Sequence, residues 1–323
     1  MKSWLKISLS LLLLQAVLFC AGCTQQKGDM KVIGVAMFMT HPALDAVLEN
    51  AKKELAQQGY VEGKNTKYII KNANGQISLT AGIANDLAAQ NPDLIIAVAT
   101  PMAQAVVKSA KCPVVFAAVT DPVGAGIVKT LKGEEKITGT SDAWPYEEQL
   151  KLIRQITPTA KRLGVIFNPG ETASHHGMAE IRKYAPGLGF QLVERAVNST
   201  NDIYAAVQDI SQKVDALFLS SDNTVISGMA AAMKVAKERK LPLYVGDSGT
   251  VEKGGLAAVS VGYHALGTET GKLAVRILKG ERNIPVFVSR DTKIVINAKS
   301  AELMGVKLPY ELQREISIFT EIK

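Results

Sequence analysis

Cysteine is scarce in this chain of 323 residues: there are three, at positions 20, 23 and 112. That excludes a disulfide framework. No HExxH pattern and no cysteine pair supplies metal ligands, so the sequence points to no metal site. The four histidines make no catalytic set. His175 and His176 are adjacent and cannot share a helical face, and His41 stands before Pro42 as a helix-start residue able to orient a ligand. A GxSxG nucleophile elbow is missing. The Gly124-Ala125-Gly126 run lacks the third glycine of a dinucleotide fingerprint, and no other cofactor site is legible. Cys112, before Pro113 at a strand start, reads as a small buried residue. Beyond the first twenty or so residues, no apolar run reaches the roughly 20 residues of a spanning helix. Nothing here marks an enzyme.

Acidic charge is in modest deficit. Lys and Arg number 37 against 30 Asp and Glu, a formal +7. Such an excess raises nucleic acid as a partner, but the start of the chain argues otherwise. Lys2 and Lys6 precede an apolar run from Ile7 to Phe19 and then small residues, the layout of an export signal. Cys20-Ala21-Gly22-Cys23 resembles a bacterial lipobox, with Cys23 the lipidated residue; an ordinary cut near Ala21 or Gly22 is the alternative. On the lipobox reading, 1–22 is a signal, Cys23 carries the lipid, 23–30 is a polar tether, and the body is extracytoplasmic. Several acyl chains on one residue anchor durably where one is marginal. Loss of the leader removes two lysines and no acid, leaving 35 basic and 30 acidic residues, a formal +5. Outside the cytoplasm that excess implies no nucleic-acid partner.

The body alternates apolar runs with amphipathic segments. Strands are expected over 32–38, 67–72, 93–99 and 113–118, with helices over 42–58, 78–90 and 101–109. The plan recurs, with strands over 163–168, 190–196, 215–219, 243–245 and 256–260 and helices over 173–185, 202–212 and 224–239. A long helix over 263–279, a strand over 292–297 and a short helix over 299–304 complete it. Strands apolar throughout, separated by helices, imply parallel sheets covered on both faces. Three pairs of segments match between the halves: those opening at Pro92 and Val214, at Cys112 and Leu241, and at Gly59 and Gly187. The pattern predicts two similar lobes.

In open parallel sheets, ligands bind beyond the carboxyl ends of strands. The polar residues there are Thr40 and His41, Asn72 and Asn74, Thr100, and Thr120 and Asp121 in the first half. The second half offers Asn168, Asn198 to Thr200, Ser220 to Asn223, and Asp247 with Ser248. Each alone reads equally well as an N-cap. As a set repeated on one face of both lobes they mark a ligand site, and a helix start favours anions in either role.

The segments MFMTHPALDAV, LAAQNPDLIIAVATPMAQA, VVFAAVTDPVGAGIV, ITGTSD, LGVIFNPGE and VDALFLSSDNTV together resemble bacterial ABC-transporter substrate-binding lipoproteins of the tryptophan/tyrosine-transport type. The likeness runs from about Val32 to Pro309, with departures at Thr40 and around Gly170–His176. It implies an α/β type I periplasmic-binding-protein fold, two Rossmann-like lobes with parallel sheets joined by a three-crossover hinge. It places crossings near Thr140–Asp142, Val261–Gly262 and Ser289–Asp291, giving lobe one as 31–140 plus 263–289 and lobe two as 141–262 plus 291–323. It implies an aromatic amino acid as ligand, an ABC permease and its ATPase as partners, a lipid anchor, and a monomer.

An α-amino acid needs an anion site and a cation site. No Arg, the usual carboxylate partner, lies in any strand-end cluster. The carboxylate is expected on Thr100 and Ser141, and the ammonium on Asp222 and Asp247, with Asp121 next. Asn168 and Asn223 add amides, while Thr40 and His41 complete the set. Phe38, Trp144, Tyr146 and Phe167 are candidates to sandwich a ring. A sugar or nucleoside ligand, or a sensing partner of a membrane receptor, is the alternative, although aromatics at 6% are few for a sugar site.

Overall fold

Residues 30–317 are described by the computed structural model. The proposed leader, Cys23 and most of the tether lie outside the described residues, as do the last six positions of the chain.

Near-continuous apolar strands build the first sheet. β1 (Lys31–Met37), β2 (Thr66–Asn72), β3 (Leu94–Val98), β4 (Val114–Ala117) and β5 (Ile137–Ser141) pair in parallel. β1 is flanked by β2 and β3, so the order is 2-1-3-4-5. α1 (Pro42–Gln57), α2 (Ile77–Ala89) and α3 (Thr100–Ser109) make the connections. Pro42 starts α1 at a position where its missing N–H has no helical partner to lose.

The second half repeats this order. α4 (Tyr146–Ile156) leads into β6 (Arg162–Phe167), followed by α5 (Thr172–Tyr184), β7 (Gln191–Ala196) and α6 (Ile203–Ile210). Then come β8 (Ala216–Leu219), α7 (Asn223–Ser227), α8 (Met229–Arg239) and β9 (Leu243–Tyr244). The sheet order is β7-β6-β8-β9, the same 2-1-3-4 arrangement. All three matched segment pairs therefore fall on corresponding strands. The helix expected over 224–239 is two, because Gly228 interrupts it where the backbone lies against Ile203.

The rest of the chain is shared between the halves. After α9 (Ser248–Glu252), β10 (Ala257–Val261) continues the second half and pairs antiparallel with β12 (Thr292–Asn297). Between them α10 (Tyr263–Leu278) returns to the first sheet, and β11 (Phe287–Val288) pairs with β5. α11 (Ala298–Leu303) and β13 (Ile316–Ser317) follow β12. β10, β12 and β13 form a three-stranded sheet of their own in the second half, and the chain thus passes between the two halves three times: after β5, after β10 and after β11. Two separate apolar cores result, one around Ile33, Leu94 and Phe116 and the other around Leu163, Phe218 and Tyr244. This is the type I periplasmic-binding-protein architecture, and it brings the carboxyl ends of both sheets face to face. No helix among the described residues is long and apolar enough to cross a membrane.

Candidate functional site

A cavity lies where the strand ends of the two lobes meet. Lobe one lines it with Met39, His41, Leu44, Ala99, Thr100, Ala118, Thr120 and Tyr263; lobe two and the first crossover add Asp142, Trp144, Ser221, Asp222, Asn223, Ile226 and Asp247. Its open volume is about 40 Å³, room for a few waters. A larger ligand needs more room than the lining leaves here.

Two alanines at the strand ends are held in unusual backbone conformations. Ala99 (φ 74°, ψ 155°) precedes α3 and Ala118 has φ 52°. The first is a region that only glycine enters readily, and such strain persists where surrounding structure over-determines it. It turns the start of α3 toward the cavity.

Lobe two supplies two capped helix starts. Asp222 caps α7 by accepting from the Val225 N–H (3.0 Å), and its other oxygen accepts from the Asn168 N–H. Glu171 is buried beside it and accepts from the Asn223 N–H, the Asn223 amide and the Thr224 N–H (3.1, 2.9 and 2.7 Å). Two carboxylates thus share one helix start. Burial first, then the Glu171 carboxylate, pushes the Asp222 carboxyl up to about 7. Asp247 caps α9 through the Thr250 N–H (2.9 Å) and also accepts from the Thr250 hydroxyl.

His41 reaches across to this second cap. Its Nδ1 accepts from the Ala43 N–H (3.3 Å), so the ring proton sits on Nε2, which donates to Thr250 Oγ1 (3.2 Å). Burial holds the ring below its ordinary pKa, against the pull of Asp247. His41 is therefore a neutral bridge between lobes. Gly249 seals the same contact, since a Cβ there would stand 2.9 Å from that of Pro42. Further bridges are Thr120 to Ser221 (2.9 Å), Gln104 to Thr172 (3.2 Å) and His176 to Asp121 (3.3 Å).

Asp142 stands at the first crossover. It accepts from Thr120 Oγ1 (3.3 Å) and from the Tyr263 hydroxyl (2.9 Å), and Trp144 Nε1–H donates to that hydroxyl (3.1 Å). Burial pushes the Asp142 carboxyl up to about 6. The Trp144 ring lies against the backbone of Gly246, where a Cβ would fall 1.7 Å from a ring carbon.

Of the residues in the strand-end pattern, His41, Thr100, Thr120, Ser221, Asp222, Asn223 and Asp247 line the cavity. Thr40 does not: it is exposed and accepts from the Asn72 amide (3.1 Å). Asp121 sits at the rim with His176. Ser141 and Asn168 lie behind the lining, where the Ser141 hydroxyl donates to the Thr120 carbonyl (3.1 Å) and the Asn168 amide to Thr224 Oγ1 (2.9 Å). Among the four aromatics, Trp144 alone lines the cavity; Phe38 and Tyr146 are core, and Phe167 packs against the core. Asp142, Tyr263 and Glu171 were not foreseen as site residues. The first two stand one residue beyond β5 and two beyond β10. Among the described residues no cluster of side chains is arranged to hold a metal ion.

A family model described as ABC transporter substrate binding protein matches residues 32–317. The tyrosine-binding protein of Clostridioides difficile strain R20291 is 33% identical over 303 residues, covering 88% of each chain. An ABC domain from Streptococcus pneumonia solved in complex with L-Trp is 36% identical with a TM-score of 0.86, over 90% of this chain and 99% of that one. A ligand-free, open structure of a substrate binding protein from Clostridium difficile is also 36% identical, over 89% and 98%, yet its TM-score is 0.66.

Proposed function

We propose that this chain, which belongs to the ABC transporter substrate-binding protein family, captures an aromatic L-amino acid between its two lobes by hinge closure. The observation that carries this reading is the cavity itself. It joins an acidic side, Asp142, Asp222 and Asp247, to the start of α3 at Thr100 and to the Trp144 and Tyr263 rings. An amino acid offers the complement of each: an ammonium for the carboxylates, a carboxylate for free N–H groups at a helix start, and a ring for the aromatic wall. Asn223 adds an amide, His41 bridges the lobes over the ligand, and Ser141 and Asn168 steady Thr120 and Thr224 from behind.

The comparison structures support closure as the mechanism. Two relatives of equal identity differ by 0.20 in TM-score, and the L-Trp complex is the one this chain resembles more. The lower score belongs to the structure described as ligand-free and open, as a difference in lobe angle would give. A ligand shifts the hinge only by binding the closed form better, and contacts from both lobes supply that preference. No bond need be made or broken, so no catalytic role is assigned. The separate cores support lobes of 31–140 plus 263–289 and 141–262 plus 291–323. In the full reading the chain is monomeric, is held outside the cytoplasm by lipid on Cys23, and hands its ligand to an ABC permease driven by its ATPase.

A thermal-shift screen over amino acids, sugars and nucleosides tests this. L-Tryptophan or L-tyrosine at a hundredfold excess over Kd adds about 2.7 kcal/mol of stability. No shift with tryptophan, tyrosine or phenylalanine at millimolar levels, or a shift with sugars alone, contradicts the reading.

A further inference from the structure

Two of the three cavity aspartates are committed to helix starts. Asp222 gives both oxygens to backbone N–H groups, and Asp247 gives its own to the N–H and hydroxyl of Thr250. Asp142 caps no helix. It stands one residue past β5, in the first crossover, and its side-chain partners are the hydroxyls of Thr120 and Tyr263. Tyr263 opens α10 directly after the second crossover at Gly262, and its hydroxyl takes the Trp144 indole N–H. The chain Trp144 to Tyr263 to Asp142 therefore ties two of the three hinge strands together at the cavity wall.

We propose that Asp142 receives the ligand's ammonium and that Tyr263 is the residue that positions it, so the ligand's charge is read at the hinge itself. The proposal rests on the amino-acid reading above. Asp142 is 5% exposed, and a buried carboxylate without a cation is costly. Hydroxyls lend it dipoles; an ammonium lends it charge and three donors. The titratable groups facing Asp142 are Tyr263 from α10, Tyr146 from α4 and Asp247 before α9, and His41 faces Asp247 from the start of α1. None supplies a settled positive charge, since burial disfavours the charged His41. No lysine or arginine is among the lining residues described. The ammonium is the missing counter-charge, and placing it at the crossover makes the closed angle of the hinge depend on its presence.

A pH signature follows. The carboxyl of Asp142 is held up to about 6 by burial, and an ammonium requires it ionised. Affinity falls as pH drops through that value, toward about tenfold per unit. The Tyr263 hydroxyl favours the ionised form, so Tyr263→Phe moves the midpoint to higher pH.

Calorimetric titration of the full chain with L-tryptophan and with indole-3-propionate, which lacks the ammonium, from about pH 5 to 8 tests this. The wild type is expected to bind L-tryptophan with the acid-side loss and to discriminate against indole-3-propionate. Asp142→Asn is expected to lose about a hundredfold in affinity, with its folding checked by thermal unfolding. Tyr263→Phe is expected to lose about tenfold and to shift the midpoint upward, with a changed Trp144 emission. Undiminished binding by Asp142→Asn, or a flat wild-type profile through pH 6, overturns the proposal. An unmoved midpoint in Tyr263→Phe reduces Tyr263 to a structural role and overturns its part. Failure of the wild type to bind L-tryptophan or L-tyrosine at any pH overturns the amino-acid reading, and the proposal falls with it.

Discussion

Trp144 and Gly246 show how one missing methyl shapes the site. The indole occupies the space that any side chain at 246 would claim, while its N–H holds Tyr263. Gly246→Ala therefore displaces the ring into the cavity or off the hinge. The expected loss of stability is about 1–3 kcal/mol from overpacking, together with a large drop in ligand affinity and altered Trp144 emission. Urea denaturation followed by fluorescence checks it, and a variant matching the wild type in all three would show that the contact has slack. At this scale the strand-end rule read seven lining residues from the sequence: His41, Thr100, Thr120, Ser221, Asp222, Asn223 and Asp247. It missed Asp142 because β5 ends in Thr-Gly-Thr-Ser, a run too polar to be read as a buried strand. It missed Glu171 because that side chain folds back onto a helix start more than 50 positions away, a contact local pattern does not carry. It included Thr40 because strand ends mark a place along the chain without saying which side chains turn inward.

Asp222 belongs to the level of the element, since its first duty is to α7. Its carboxyl titrates at about 7 in the fold against roughly 3.9 in an unfolded chain. Between those values the native state binds more protons, so its contribution to stability falls as pH rises from about 4 to about 7. Asp222→Asn removes that contribution and flattens the slope, leaving the smaller one from Asp142. It also loses the bond from the Asn168 N–H if the new amide nitrogen faces it, at about 1–3 kcal/mol. Denaturation midpoints across this pH range test the sign; equal slopes in variant and wild type would contradict it. Elements with apolar runs and caps were legible to within a residue or two. α4, which has no side-chain cap, and the polar β5 were not read, nor were the two-residue β11 and β13, and α9 was hidden in the Gly-rich stretch after Asp247.

For the whole molecule, the repeated 2-1-3-4 order was visible as three matched segment pairs, because corresponding strands carry like apolar runs. The three crossings were not visible in periodicity; they follow from pairings between distant segments, such as β11 with β5 and β12 with β10. Those crossings make the lobes separable, and His41–Thr250, Thr120–Ser221 and Gln104–Thr172 mark the surfaces that must come apart for a ligand to enter. The central claim is that an aromatic amino acid holds these surfaces together. Small-angle X-ray scattering of the chain with and without saturating L-tryptophan or L-tyrosine measures this directly. The account predicts a smaller radius of gyration with either amino acid and no change with a sugar; an unchanged radius with both amino acids, or contraction with the sugar instead, would contradict it.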